Sequence, residues 1–211
     1  MRIVTKEIKV YSVDDVLNMP ELKEKVFENY RDFNVDFQDW HDFIFENWKE
    51  KLEGYGFISP EINYSGFWSQ GDGASFTCYR IDLPVFLKNF AAEIDLTEKQ
   101  KSLLLALMEK YYIFGFDVKR CSCRYYHENT VFVDDENCLY DFVGYSRLYA
   151  FLEGAAVKVK NAVAGKVVDL SREIYCDLRK EYEYLTSEEG VFESLRCNEY
   201  EFSADGKIFI D

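Results

Sequence analysis

Proline and histidine are scarce in this sequence, with three and two residues in 211, and there are six cysteines. Few prolines leave long stretches of backbone free for helices and strands, because proline removes a donor and interrupts both. The cysteines are scattered through a chain without a secretory signal, so we expect reduced thiols. The longest apolar run, Leu103 to Met108, is far shorter than the roughly 20 residues that span a bilayer, so we expect a cytoplasmic protein.

Basic side chains are also in deficit: 25 Lys and Arg stand against 39 Asp and Glu, a formal net charge of −14. A field of this sign repels phosphate backbones, so we expect no direct binding of duplex DNA. It favours a partner protein with a basic surface, or bound cations. The same charge is also a common means of keeping a protein soluble.

Apolar and aromatic side chains are plentiful, at 48% and 18% of the chain. With no internal repeat and no Pro/Ser-rich linker, the sequence predicts a single α+β domain over residues 1–211. We expect antiparallel hairpins packed against several helices. The predicted elements include an edge strand over residues 1–10, a helix containing Trp40, Ile44 and Trp48, and a long amphipathic helix over residues 146–185, either continuous or broken near Gly165.

A glycine-rich hairpin is the first candidate site. Its turn, residues 69–73, places Trp68, Gln70 and Asp72 at or near the tip, between glycines that permit positive φ. No Gly-Lys-Ser/Thr follows, and neither the dinucleotide fingerprint nor the calcium-loop spacing is present. The segment is therefore interpreted either as a tight turn or as a binding edge.

A second turn gathers Arg124, Tyr126 and His127 within residues 120–129. A neutral histidine beside Glu128 can act as an acid or base, but no nucleophile is fixed near it by sequence. An exposed turn and a ligand or partner site are the alternatives. The spacing of Cys121, Cys123, His127 and Cys138 matches no common zinc pattern, so we expect no metal and no cofactor. We also expect this turn and the glycine-rich turn to lie close together in one antiparallel sheet.

An acidic series is the third candidate, with no Lys or Arg inside it. If the span were helical, its members would share one side, like a row of phosphates; a solvated surface is the alternative. The acids are Asp32, Asp36, Asp39, Asp42 and Glu46.

Several blocks, in order along most of the chain, resemble a family of small proteins widespread in bacteriophage genomes. They are YRDFNVD (30–36), YSGFWSQGDGASF (64–76), RYYHEN (124–129), EYEYLTS (181–187) and NEYEF (198–202). The resemblance implies a phage context, a host cytoplasm and host factors as targets. It assigns no catalytic residue.

Together these features predict a phage-encoded acidic accessory protein, rather than an enzyme, that binds and inhibits a host component. A nucleic-acid-handling or antiviral-defence complex with a basic groove is the expected target. The alternative is a protein that binds a nucleotide or small polar ligand, or hydrolyses it, between the glycine-rich hairpin and the His127 turn. Oligomeric state is left open.

Overall fold

The computed structural model describes residues 7–37, 39–111, 114–121, 124–137 and 147–210. In these ranges seven α-helices and four antiparallel strand pairs form an α+β fold, which confirms the predicted class. The packing divides the chain into two compact units. Unit 1 comprises Met1–Asp42 and Leu178–Asp211, and unit 2 comprises Phe43–Asp177.

Unit 1 opens with β1 (Val10–Ser12), which pairs with β8 (Glu201–Ser203). The edge strand predicted over residues 1–10 is therefore wrong at residues 7–9, which are irregular, and its residues 1–6 lie outside the described ranges. Ser12 caps α1 (Val13–Leu17), and its side chain and the Asp15 side chain bond each other's backbone N–H groups. Pro20 begins α2 (Pro20–Tyr30), where its missing N–H costs no helical bond.

The core of unit 1 forms where α1, α2, β8 and α7 (Glu188–Cys197) bury their apolar faces. Ser187 caps α7 by accepting the Gly190 N–H at 3.1 Å. The Asp205-Gly206 turn follows β8, with φ of +79° at Gly206. The fully or nearly fully buried residues of this core are Val13, Val16, Leu22, Val26, Val191, Phe192, Leu195 and Phe202.

Unit 2 contains most of the hairpins. Its helices are α3 (Asp42–Gly54), α4 (Leu83–Phe90) and α5 (Glu98–Tyr111). Its strands pair as β2 (Phe57–Ile58) with β5 (Arg80–Ile81), β3 (Glu61–Ser65) with β4 (Gly73–Thr77), and β6 (Phe114–Arg120) with β7 (Val131–Asn137). Short 3-10 turns occupy Ala91–Glu93 and Glu128–Thr130.

The β3–β4 pair lies against the core of unit 2, because β4 is buried from Gly73 to Phe76. Phe76 packs edge-on against Phe57 at 5.0 Å between ring centroids, and Phe57 packs likewise against Phe86 on α4. Cys78 and Val118 form one isolated antiparallel bridge that ties this region to β6. Burial raises the pKa of the Cys78 thiol to about 12.

The helix α6 (Arg147–Leu185) supplies residues to both units. Its buried positions recur mainly at steps of three or four, with adjacent buried pairs at 155–156 and 170–171, as the amphipathic pattern predicts. The helix is continuous at Gly165, where a side chain would meet nothing within 4 Å, so the alternative with a break there is wrong. No helix in the described ranges is both long enough and apolar enough to cross a membrane.

Candidate functional site

The glycine-rich loop between β3 and β4 is held by its own aspartate. Asp72 Oδ2 accepts the backbone N–H of Trp68 at 2.8 Å and that of Ser69 at 2.6 Å, while the Asp72 N–H donates to the Ser69 carbonyl at 3.1 Å. Gly66 and Gly71 have φ of +32° and +95°, which side chains disfavour. Asp72 therefore fixes the loop, and its Oδ2 is already committed to backbone donors.

Trp68 projects from this loop, with 74% of its surface exposed. Its neighbour Phe67 behaves differently, since its ring packs 5.1 Å from Tyr64 and 5.5 Å from Tyr175 on α6. Gln70 is exposed at the tip. The loop therefore presents one large aromatic side chain from a backbone that is anchored on both sides.

The second turn is also fixed by backbone hydrogen bonds. His127 Nδ1 accepts the Asn129 N–H at 3.2 Å, and the His127 carbonyl accepts the N–H and hydroxyl of Thr130 at 2.9 and 2.7 Å. The carboxylate of Glu128 accepts from Nε of Arg172 on α6 at 3.2 Å. Because His127 caps the 3-10 turn and Glu128 pairs elsewhere, the two do not form an acid–base pair with each other.

The structure brings the two turns together, as the hairpin pattern predicts. A Cβ on Gly71 would lie 2.3 Å from the Tyr125 ring, and one on Gly73 would lie 2.6 Å from Cα of His127. The prediction of one sheet is wrong, however, since the β3–β4 and β6–β7 pairs are separate sheets linked by the Cys78–Val118 bridge. The His127 turn packs against the start of β4 at Gly73.

Two arginine–tyrosine stacks line the second turn. The Arg124 guanidinium carbon lies 5.3 Å from the Tyr125 ring centroid, and that of Arg120 lies 4.5 Å from the Tyr126 centroid. Arg124 is exposed, whereas Nε and Nη2 of Arg120 are buried and have no hydrogen-bond partner among the described residues. The predicted residues Arg124, Tyr126 and His127 thus belong to one cationic and aromatic cluster.

The acidic series does not lie on one helix, so that interpretation is wrong. Asp32, Asp36 and Asp39 occupy turns between α2 and α3, whereas Glu46 lies on α3 in unit 2. All of them are exposed. Trp40 also precedes α3, contrary to the predicted helix.

The physical cause is packing in unit 1. Phe33 stacks edge-on against Tyr30 and Tyr200 at 6.4 and 5.8 Å, and the Asn34 amide donates to the Leu185 carbonyl at 2.9 Å. These contacts hold the chain in turns where the charge pattern alone would permit a helix.

The cysteines near the second turn show no metal geometry in the described ranges. Cys121 donates its thiol to the Thr130 carbonyl at 3.0 Å, while Cys123 and Cys138 lie outside the described residues. No group of three or more His, Cys, Asp or Glu side chains there could hold a metal ion. The expectation of a zinc-free protein stays a prediction.

Two residues of the second turn and one cleft in unit 1 were not among the predicted site features. Tyr125, against Gly71, and Arg120, beneath Tyr126, lie within the predicted segment 120–129 but were not chosen as site residues. An open cleft of about 540 Å³ also lies in unit 1, lined by residues that include Tyr11, Met19 and Lys25. None of the predicted site residues lines this cleft.

Residues 40–188 match the family described as Domain of unknown function (DUF8835). Since the match spans more than half of the chain, the protein belongs to this family. No curated protein and no solved structure matches the chain. The matched segment contains both turns of the candidate site but not Asp32, Asp36 or Asp39.

Proposed function

We propose that this is a phage-encoded acidic accessory protein that binds a host protein complex and inhibits it, with Trp68 as the anchor of its contact surface. The observation that carries the proposal is an exposed tryptophan on a fixed loop, 74% in contact with solvent while Asp72 holds the backbone on either side of the tip. The expected target is a nucleic-acid-handling or antiviral-defence complex with a basic surface. The phage context rests on the sequence resemblance alone.

An exposed tryptophan on a rigid loop is well suited to binding. Covering a large apolar side chain contributes about 1.5 to 3 kcal/mol, and tryptophan is enriched among residues that dominate interface energies. A loop already held in one conformation loses little entropy on association. Arg124 and Tyr125, on the turn that contacts Gly71, extend the surface with residue types that interfaces also favour.

The acidic surface would act on the rate of association. A net charge of −14 steers a basic partner toward the protein, and exposed carboxylates at Asp32, Asp36, Asp39 and Glu46 contribute to that field. Because these acids are divided between turns and α3, they do not form a regular row that resembles the phosphates of a nucleic acid. Electrostatic steering of the partner requires only the charge of these acids and does not require that they lie on one helix.

The first test compares two exposed aromatic residues. A partner captured from infected host cells is identified and purified, and its Kd is measured for the parent, Trp68→Ala and the control Phe43→Ala. Phe43 lies on α3 and is 72% exposed, a match for Trp68. We expect Trp68→Ala to weaken binding by at least about 30-fold, the size typical of an interface anchor, and Phe43→Ala to change it by less than about threefold.

The second test removes charge and keeps the aromatic anchor. Replacing Asp32, Asp36 and Asp39 with Asn and Glu46 with Gln should slow association and flatten its dependence on salt, while dissociation stays unchanged. Circular dichroism checks that each variant is folded. A well-folded Trp68→Ala protein that binds the partner as tightly as the parent would contradict the anchor, whatever the charge variant does.

A further inference from the structure

The open cleft of unit 1 contains none of the residues that the proposed host contact uses. It lies where three elements meet: Tyr11 of β1, the start of α2 with the two residues before it, and Ala204 in the turn after β8. Pairing of Tyr11 with Phe202, which is 0% exposed, holds β1 in place. A volume of about 540 Å³ falls within the range of roughly 300 to 1,000 Å³ that is common for small-molecule sites.

Apolar side chains form part of this cleft. Leu22 is only 4% exposed and belongs to the core of unit 1, while the Tyr11 ring packs against that core. Met19 and Ala204 also line the cleft and are exposed, Met19 by 41%. Apolar surface that faces water in a concave site is covered favourably by an apolar ligand, and a methionine side chain adapts to its shape. The cleft therefore suits a ligand with an apolar body.

Two hydrogen-bond acceptors line the cleft near the start of α2. The Asn18 amide donates to the Asp14 carbonyl at 2.8 Å, which fixes the side chain and leaves its oxygen, Oδ1, able to accept. The carboxylate of Glu21 is exposed and has no hydrogen-bond or ion-pair partner among the described residues. Both groups are therefore available to an ammonium group.

Two donors line the cleft as well. Lys25 lies four positions after Glu21, so both side chains share one side of α2 in the order that favours an ion pair. No such pair forms, and Lys25 has no other ion-pair partner in the described part of the chain. The hydroxyl of Tyr11 likewise has no hydrogen-bond partner among those residues. Lys25 and Tyr11 can therefore donate to a carboxylate.

We infer that this cleft binds a small zwitterion with an apolar body, the chemistry shared by free apolar amino acids and their dipeptides. Glu21 and Asn18 accept from its ammonium group, and Lys25 and Tyr11 donate to its carboxylate. A monocarboxylate would leave Glu21 facing its negative charge, and an amine would leave Lys25 facing its positive charge. A net charge of −14 further disfavours an anion. This binding activity goes beyond the proposed host contact and does not depend on it, and the cleft residues all lie outside the family match at 40–188.

Methyl NMR of the full chain tests the site, because Met19 is one of only three methionines. Its methyl signal is identified as the one lost in Met19→Leu, and Met108, on α5 in unit 2, serves as the internal reference. Leucine should shift the Met19 signal with a Kd of about 0.1 to 1 mM, as expected for a small ligand in an open cleft, and leave the Met108 signal unchanged. Tighter binding of leucyl-leucine than of leucine would identify a dipeptide as the source, and equal or weaker binding would identify the amino acid; either supports the site.

Single-charge ligands and matched variants assign each contact. N-acetyl-leucine lacks the ammonium group and leucinamide lacks the carboxylate, so each should bind at least about threefold more weakly than leucine. Glu21→Gln should weaken leucine binding by about three- to tenfold without weakening that of N-acetyl-leucine, and Lys25→Gln should do the same without weakening that of leucinamide. Glu24→Gln, on the same helix but outside the cleft, and Lys49→Gln, on α3, make the same charge changes and should alter neither.

Three results would overturn the inference: no shift of the Met19 methyl with leucine or leucyl-leucine, binding of both single-charge ligands as tight as that of leucine, or an unchanged leucine affinity in both Glu21→Gln and Lys25→Gln. Both substitutions are at exposed helix positions, so circular dichroism should show the variants folded. Ala204→Trp, which fills the cleft from an exposed turn, should abolish the leucine-induced shift in a folded protein. Trp68→Ala should keep the full response to leucine, so failure of this site and failure of the host contact are separate outcomes.

Discussion

Gly73→Ala tests the contact on which the whole candidate site depends. A Cβ there would lie 2.6 Å from both Cα and Cβ of His127, almost 1 Å short of the 3.4 Å at which ordinary contact begins. The φ of Gly73 is not positive, so the substitution carries no backbone strain of its own. Overpacking of this kind costs about 1 to 3 kcal/mol, and loss of glycine's freedom in the unfolded chain offsets about 0.4 to 1 kcal/mol.

The net expectation is a loss of about 1 to 2 kcal/mol in the free energy of unfolding, seen as a fall in Tm of about 2 to 8 °C for a chain of this size. Gly165→Ala is the matched control, because that glycine lies in α6 with nothing within 4 Å of an added Cβ. It should instead stabilise the protein by about 0.5 to 1 kcal/mol. Urea titration followed by circular dichroism measures both. A Gly73→Ala protein as stable as the parent would refute the juxtaposition of the two turns.

Four further outcomes are expected. Iodoacetamide at pH 8 should label exposed Cys121 in the native protein but Cys78 only after unfolding, as mass spectrometry will show, because burial raises the Cys78 pKa to about 12. Hydrogen bonds from Ser12 lower the pKa of Asp15 below its usual 3.8, so they stabilise the fold above that pH and the effect disappears as the pH falls through the lowered value. Ser12→Ala should therefore lower Tm more at pH 7 than at acid pH, where only the cap bond from the Asp15 N–H to the Ser12 hydroxyl is lost. Phe202→Ala should cost about 3 to 5 kcal/mol in unfolding free energy, since its ring is 0% exposed in the core of unit 1. If residues 1–211 form one domain, calorimetry should show a single transition with equal calorimetric and van't Hoff enthalpies.

Helix starts and amphipathic helices have a local chemical cause, from which sequence alone can predict them. Ser12 and Thr97 cap α1 and α5 because their hydroxyls reach a backbone N–H three residues on, a relation that lies within four residues of sequence. Apolar residues also recur at helical spacing along α6, which indicates that one side of a single long helix is buried. Such patterns can be recognised without knowledge of the tertiary contacts made by the rest of the chain.

The acidic series shows where local reasoning ends. The charges between Asp32 and Glu46 satisfy a helical period, yet Phe33 and Asn34 find partners at Tyr200 and Leu185, more than 150 residues away. Contacts of that separation override a periodicity that rests on charge alone. The end of the predicted edge strand was misplaced for a related reason, because the position of β1 follows from pairing with β8 near the other end of the chain.

The candidate site was predictable in its outline but not in its chemistry. Glycines in the first hairpin and the aromatic turn in the second indicated two tips, and both carry residues that were chosen. The close approach at Gly71 and Gly73 could not be predicted, because it depends on how two separate sheets pack. Arg120 was overlooked because an arginine on the apolar face of β6 breaks the usual alternation of polar and apolar residues. Arg120 would have emerged from a search for charged residues in register with buried ones.

Trp68 and Arg120 are unsatisfied in opposite senses. The first leaves apolar surface in water, and the second keeps two N–H donors out of water without a partner among the described residues. Their supporting turns touch at Gly71 and Tyr125. Comparing the partner's Kd for Trp68→Ala, Arg120→Leu and the double variant measures whether the two side chains are coupled through that contact.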